Sequence, residues 1–316
     1  MKHLFINSVA LLALAGTSQA ALTVIVENFD NYGSSSIPFS GQNGGSGFSG
    51  GWVNVGATAH GYTNANLTSS VTGYTNTGDA AGLNDGAASN NTYNGGLANN
   101  NSTRAIAQPT IGNGETVWFS FMVNMASTAG GNNALFSPFG LAAGDMFNTG
   151  KFNVGVTAGR FSVNGLVSYT TNPFVAVSNN FLGANLVANT TYLIVGRTTI
   201  DAAVGAPDIL DVWFNPTDVS SIASLGAAQV SFSNQDFSTA NAPDPFRTSG
   251  SSGVFLNGIT VGIRGTDVNK LDSIRIAYDG TDQENFVAVI PEPSTTLLLG
   301  LGGLALAFGR RRSTAA

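Results

Sequence analysis

The 316-residue chain has no cysteine and only two histidines. Without cysteine no disulfide framework can form, whatever the redox state of the compartment. The usual zinc ligand sets and any Cys-His pair are excluded as well. Beyond residue 20 the single histidine is His60, in Ala59-His60-Gly61-Tyr62. A Ser-His-Asp arrangement would have to use it, and no Gly-x-Ser-x-Gly elbow accompanies it. A lone histidine between small and glycine residues reads as a surface-loop residue. Lysine is almost missing, and charged residues make up only 9% of the chain. Gly33 to Gly51 is glycine-rich but lacks the Lys-Ser/Thr ending of a phosphate-binding loop, so it reads as a plain loop.

What is present is concentrated at the two ends. Lys2 and His3 precede a mostly apolar stretch from Leu4 to Ala15, and Ser18-Gln19-Ala20 fits a small-x-small cleavage site. Residues 1–20 thus read as a secretory signal peptide. At the other end, Pro291-Glu292-Pro293 is followed by an uncharged run from Leu297 to Phe308 and then by Arg310-Arg311-Arg312. The run is shorter than the ~20 residues that span a bilayer comfortably. It can still cross a thin bilayer with snorkelling arginines, whose charge stays on the cytoplasmic side. Pro291 and Pro293 hold the preceding backbone extended, as a processing enzyme needs. This order of motif, apolar run and arginine cluster resembles the PEP-CTERM sorting signal of bacterial envelope proteins. The resemblance implies transit through the secretion translocon and an inner-membrane intermediate. It further implies processing by an exosortase and delivery to the cell surface or extracellular matrix, including biofilm matrix. The expected organisation is a signal peptide at 1–20, a body at 21–289 and a sorting segment at 290–316.

Of 18 acidic residues only Glu292 lies outside the body, and of 12 basic residues Lys2 and the three terminal arginines do. The body therefore holds 17 acids and 8 bases, a net charge of −9. Such a charge disfavours nucleic acid and anionic membrane surfaces as partners. The 40 glycines, nearly twice the usual ~7%, argue for many turns and against long helices.

Period-two alternation runs through the body. Val117, Phe119, Phe121 and Val123 alternate with Trp118, Ser120, Met122 and Asn124. Val154 and Val156, then Phe161 and Val163, follow. Asn164-Gly165 is a strong hairpin signal, with Leu166 to Tyr169 as the expected return strand. Tyr192 to Val195 is continuously apolar, as in a strand covered on both faces. Leu210, Val212 and Phe214 alternate with Asp211, Trp213 and Asn215 until Pro216 ends the ladder. Ile259, Val261 and Ile263, and Ile274, Ile276 and Tyr278, give the last strands. Segment 57–103, rich in Asn, Gly, Ser and Thr, reads as surface loops with small edge strands. Many short strands separated by turns predict an all-β sandwich or barrel in one domain.

Several blocks resemble the concanavalin A-like lectin/glucanase jelly roll found in many PEP-CTERM proteins. They are Glu27-Asn28-Phe29-Asp30, Gly44 to Phe48 with Gly51-Trp52, Thr191 to Arg197, Asp211-Val212-Trp213-Phe214-Asn215-Pro216, and Leu271 to Ile276. The resemblance implies a jelly-roll β-sandwich. The glucanases of that group carry a Glu-x-Asp-x-x-Glu string on one strand, and no such string occurs here. The expected function is therefore a non-catalytic surface or matrix protein that binds polysaccharide. The alternative is a divergent glycan hydrolase or lyase of the jelly-roll class, with carboxylates brought together from distant positions.

Two sets of body residues are candidates for ligands. Trp213, Asp211 and Asn215 share the face opposite the apolar set of their strand, and Trp118 has the same parity on its own. A ring for stacking beside hydrogen-bonding groups suits a sugar. Set against this, the same rings could be packed under a loop. Calcium is the one cofactor to consider, with Asp279, Asp282 and Glu284 as weak candidate ligands that lack the spacing of an EF-hand loop.

Overall fold

The computed structural model describes residues 21–29, 41–55, 61–63, 67–74, 82–84, 101–106, 110–111, 114–128, 133–138, 153–164, 166–168, 175–177, 180–182, 185–200, 209–233, 254–255, 258–264 and 269–290. His60, the expected signal peptide at residues 1–20 and the segment from Pro291 onward lie outside them.

The strands are β1 (Thr23–Glu27), β2 (Val53–Val55), β3 (Gly61–Thr63), β4 (Gly82–Asn84), β5 (Asn101–Ala105) and β6 (Thr110–Ile111). Then come β7 (Thr116–Asn124), β8 (Asn133–Ser137), β9 (Asn153–Thr157), β10 (Arg160–Asn164), β11 (Leu166–Ser168), β12 (Val175–Val177) and β13 (Asn180–Leu182). The remainder are β14 (Thr191–Thr199), β15 (Ile209–Phe214), β16 (Val230–Ser233), β17 (Val254–Phe255), β18 (Gly258–Arg264) and β19 (Lys270–Tyr278). A 3-10 turn at Ala223–Leu225 and one helix, α1 (Asp282–Val289), complete the described elements.

Two antiparallel sheets hold most of these strands. The first has the order β16-β15-β14-β7-β19-β4-β3, with β1 also paired to β19. The second has the order β13-β10-β9-β8-β18-β5-β2. They face each other as a jelly-roll β-sandwich, as expected. The alternation explains the layering. Phe119 and Phe121 of the first sheet meet Phe136 of the second at ring separations of 6.1 and 5.0 Å. Around them Ile194, Val212, Ile276, Val154, Ile259 and Val261 form one continuous buried core. Gly196 serves this core directly. A Cβ there would lie 2.0 Å from the edge of the Phe119 ring, so only glycine lets the ring lie on the strand.

The order of strands fixes where the chain's end goes. β19, the last described strand, is central, with β7 on one side and both β1 and β4 on the other. Its register shifts between Asp272 and Arg275, where Ser273 takes a φ of 51°. This bulge lets Leu271 and Ile274 both face the core although they are three residues apart.

The hairpin expected at Asn164-Gly165 is not formed. β10 pairs with β9 and β13, and Leu166–Ser168 pairs with β12 in a separate two-stranded sheet. The tight turn is instead Ala158-Gly159, with φ of 49° and 71° at its two central residues. Two successive positive φ values match the twist of the flanking strands.

Candidate functional site

The outer face of the first sheet carries the residues singled out as a sugar platform, and the parity expected from alternation is observed. Leu210, Val212 and Phe214 belong to the main core. Trp213 and Trp118 belong to a second apolar cluster with Leu67, Val71, Tyr74, Met122, Leu193, Val195, Val219, Phe286, Val289 and Ile290.

That second cluster corrects the expectation of an open platform. Trp118 is 0% and Trp213 4% exposed. Their rings stack on each other at 5.7 Å with an interplanar angle of 13°. Phe286 of α1 meets the Trp118 ring edge-on at 5.0 Å. The Arg197 guanidinium lies 5.4 Å from one ring centroid and 5.9 Å from the other. The indole nitrogens are also committed, Trp118 donating to Asp282 Oδ1 at 2.7 Å and Trp213 to the Gly226 carbonyl at 3.1 Å. The reason is coverage by distant segments: α1, the stretch Leu67–Tyr74 and the turn Thr217–Gly226 fold over this face. Segment 57–103 is thus not wholly surface, because Leu67, Val71 and Tyr74 are buried within it.

The other two residues of the proposed platform are structural too. Asp211 accepts from Arg197 at 2.6 Å and from the Ser231 hydroxyl at 2.8 Å. Arg197 also reaches Asp282 at 3.4 Å, so one cation bridges two carboxylates beside the stacked rings. Asn215 is exposed, but its Oδ1 accepts from the Leu193 amide at 3.3 Å and its backbone takes a φ of 47°. It turns the chain at the end of β15, before Pro216.

The calcium candidates fall at the start of α1. Thr281 is its N-cap, with Glu284 completing a capping box: the Thr281 hydroxyl accepts from the Glu284 amide, and the Glu284 carboxylate accepts from the Thr281 amide. This holds the Glu284 carboxyl below its usual range. Asp282 faces Trp118 and Arg197 instead. Asp279 accepts from the Thr23 hydroxyl at 3.0 Å, and burial raises its pKa, with Glu115 adding to the rise. The three carboxylates thus point to three different partners. Among the described residues no group of three or more His, Cys, Asp or Glu side chains could hold a metal ion.

One polar constellation had no signal in the alternation. Glu27 of the first sheet and Arg104 of the second are 0% and 1% exposed and form an ion pair across the interior of the sandwich. Glu27 also accepts from the Trp52 indole at 3.0 Å and from the Phe29 amide at 2.8 Å. Arg104 donates to the Gly50 carbonyl at 2.8 Å and to Asn43 at 2.5 Å, with its guanidinium 3.8 Å from the Phe48 ring centroid. The glycine-rich stretch Gly41–Trp52 is thereby clamped to both sheets. Trp52, the third tryptophan, is interior.

The second sheet's outer face is polar rather than aromatic. Thr103, Thr260 and Ser137 lie directly across from one another, and Asn153 and Ser162 stand on neighbouring strands. All five are buried. Among the described residues, the large exposed hydrophobics are aliphatic: Leu22, Val53, Val187, Ile209 and Val287. Neither outer face shows an open aromatic row among the described residues.

The C-terminal end of α1 leads into the sorting segment. Phe286, Val289 and Ile290 are at most 1% exposed. The Ser120 hydroxyl donates to the Val289 carbonyl at 2.5 Å, and Asn285 binds the carbonyls of Thr116 and Gly280 at 3.0 Å each. Ile290 leaves the helix with φ −106° and ψ 100°, as a residue before proline should. The apolar run expected to cross the membrane lies outside the described residues. Among the described residues no helix is long and apolar enough to do so.

No curated protein matches this chain. Solved structures to which this chain is similar include the endo-β-1,4-glucuronan lyase of the fungus Trichoderma reesei. It is 14% identical with a TM-score of 0.39, over 77% of this chain and 95% of that one. The globular domain of T. cruzi calreticulin is 10% identical with a TM-score of 0.41, over 82% and 95%. The PL-14 alginate lyase of Aplysia kurodai is 11% identical with a TM-score of 0.32, over 69% and 82%. Residues 289–313 match the PEP-CTERM protein-sorting motif, so this chain carries a signal that implies export, a membrane-anchored intermediate and processing by an exosortase.

Proposed function

We propose that the protein enters the secretion translocon through residues 1–20, is held in the inner membrane by residues 290–316, and is released by cleavage near Pro293 to the cell surface or matrix. There the β-sandwich acts without catalysis, as a polysaccharide-binding or matrix-forming body. The observation that carries this reading is the sorting motif at 289–313. A stable sandwich with a clamped interior suits a body that must persist outside the cell. Its net charge of −9 makes a neutral polysaccharide a better ligand than a polyanion.

Intact mass of the protein isolated from its producing cells tests the route. We expect a chain that begins at Ala21 and ends near Pro293; a mass that still includes Leu297 to Arg312 would refute it. Binding to a polysaccharide array, run beside an assay for released reducing ends, tests the role. Turnover that is lost on replacing a single Asp or Glu of the body would replace the non-catalytic reading with that of a hydrolase or lyase.

A further inference from the structure

The sorting match begins at Val289, inside the last turn of α1, at a residue with no exposed surface. No linker separates the folded body from the motif. Ile290, also buried, adjoins Pro291. An enzyme that cuts near Pro-Glu-Pro needs extended chain on both sides of the bond, and the residues just upstream are helical, buried and hydrogen-bonded. Ser120 holds the Val289 carbonyl, and the Ile290 amide donates to the Phe286 carbonyl at 3.2 Å.

Downstream the reach is short. Six residues, 291–296, separate Ile290 from the apolar run at Leu297. Fully extended they span roughly 20 Å. The body is therefore held close to the bilayer, with the outer face of its first sheet at the point of attachment.

We propose that the last turn of α1 is a positioning latch for processing: while Phe286, Val289 and Ile290 are docked on β7 and β19, the upstream half of the cleavage segment is withheld, and cutting proceeds from the frayed state. This rests on the sorting reading above. Helix ends open locally at a free energy well below that of global unfolding, so the cutting rate follows the open fraction. The capping box at the opposite end of α1 and the Asn285 bonds keep that fraction small.

The test uses the full chain in a host that carries an exosortase. A six-residue Gly-Ser insertion between Ile290 and Pro291 supplies extended chain without touching the body. Pulse-chase labelling would follow conversion of the membrane-held form to the released form, with circular dichroism of the released body confirming its fold. We expect the insertion to speed conversion about tenfold, and Thr281→Ala, which loosens the helix, to speed it in the same direction. Equal rates for the parent and inserted chains, or slower cutting after insertion, would overturn the latch while leaving the sorting reading standing. Absence of cutting in every chain would overturn both.

Discussion

Trp118 and Trp213, from the strands on either side of β14, stack face to face across it, with Arg197 lying over both rings and held by Asp211. This arrangement makes the pair a second core. Trp213→Ala should therefore act on stability. Removing a buried ring of this size costs about 3–5 kcal/mol. Urea unfolding of the body should show a lower midpoint. An unchanged midpoint would mean that the ring is accessible after all.

The Glu27–Arg104 pair should behave differently from a surface ion pair. Glu27→Ala leaves a buried guanidinium without its charge partner, at a cost of about 3–5 kcal/mol. Added salt should not lessen the difference, because the pair is shielded from solvent. A double-mutant cycle with Arg104→Met measures the coupling. Additive losses would show that the two side chains do not depend on each other.

Gly196 sits under the Phe119 ring, where a Cβ has no room. We expect Gly196→Val to destabilise the body by about 1–3 kcal/mol or more, the range for overpacking. Shortening the ring in the same chain, by Phe119→Leu, should restore part of the loss. Thermal unfolding of the single and double variants checks both statements; no rescue would mean that the strain lies in the backbone.

Tyr278 offers a pH signature. Burial, followed by the neighbouring Asp279 charge, pushes its pKa up to about 12, above the unfolded value of ~10. A raised pKa means that the unfolded chain loses the proton first. This contribution to stability is whole below pH ~10 and is lost as the pH rises towards 12. Asp279→Asn should lower the phenol's pKa. Ultraviolet titration of the phenolate checks this, and an unmoved midpoint would remove Asp279 as a cause.

The strands of the sandwich were legible because one buried face forces alternation: Val117 to Val123 and Leu210 to Phe214 place their apolar members inward as read. The sign of the outer face was legible too, but not its cover. Leu67, Val71 and Tyr74 lie far from Trp118 in sequence, and nothing local announces that they fold onto it. The turn was misplaced because Asn-Gly outranks Ala-Gly in intrinsic preference, while pairing with β13 decided the actual register. The carboxylates at the start of α1 resembled ligands, yet Thr281-x-x-Glu284 is the sequence form of a capping box and could have marked the helix start. Glu27 and Arg104 are 77 residues apart, and their pairing comes only from bringing the two sheets together.

The position of β19 bears on the export that the sorting motif implies. Three strands, β1, β4 and β7, wait for a partner that is synthesised after all of them. A nascent chain lacking residues 270–278 has an unfilled gap at the centre of its first sheet, and pairing across such sequence distances is slow. On the export route proposed above, the polypeptide would thus stay threadable until almost all of it has crossed, and would close only when its tail is at the membrane. Proteolysis of chains ended at Asn269 should find them unprotected. Protection equal to that of the whole body would show that the sheet can close without its final strand.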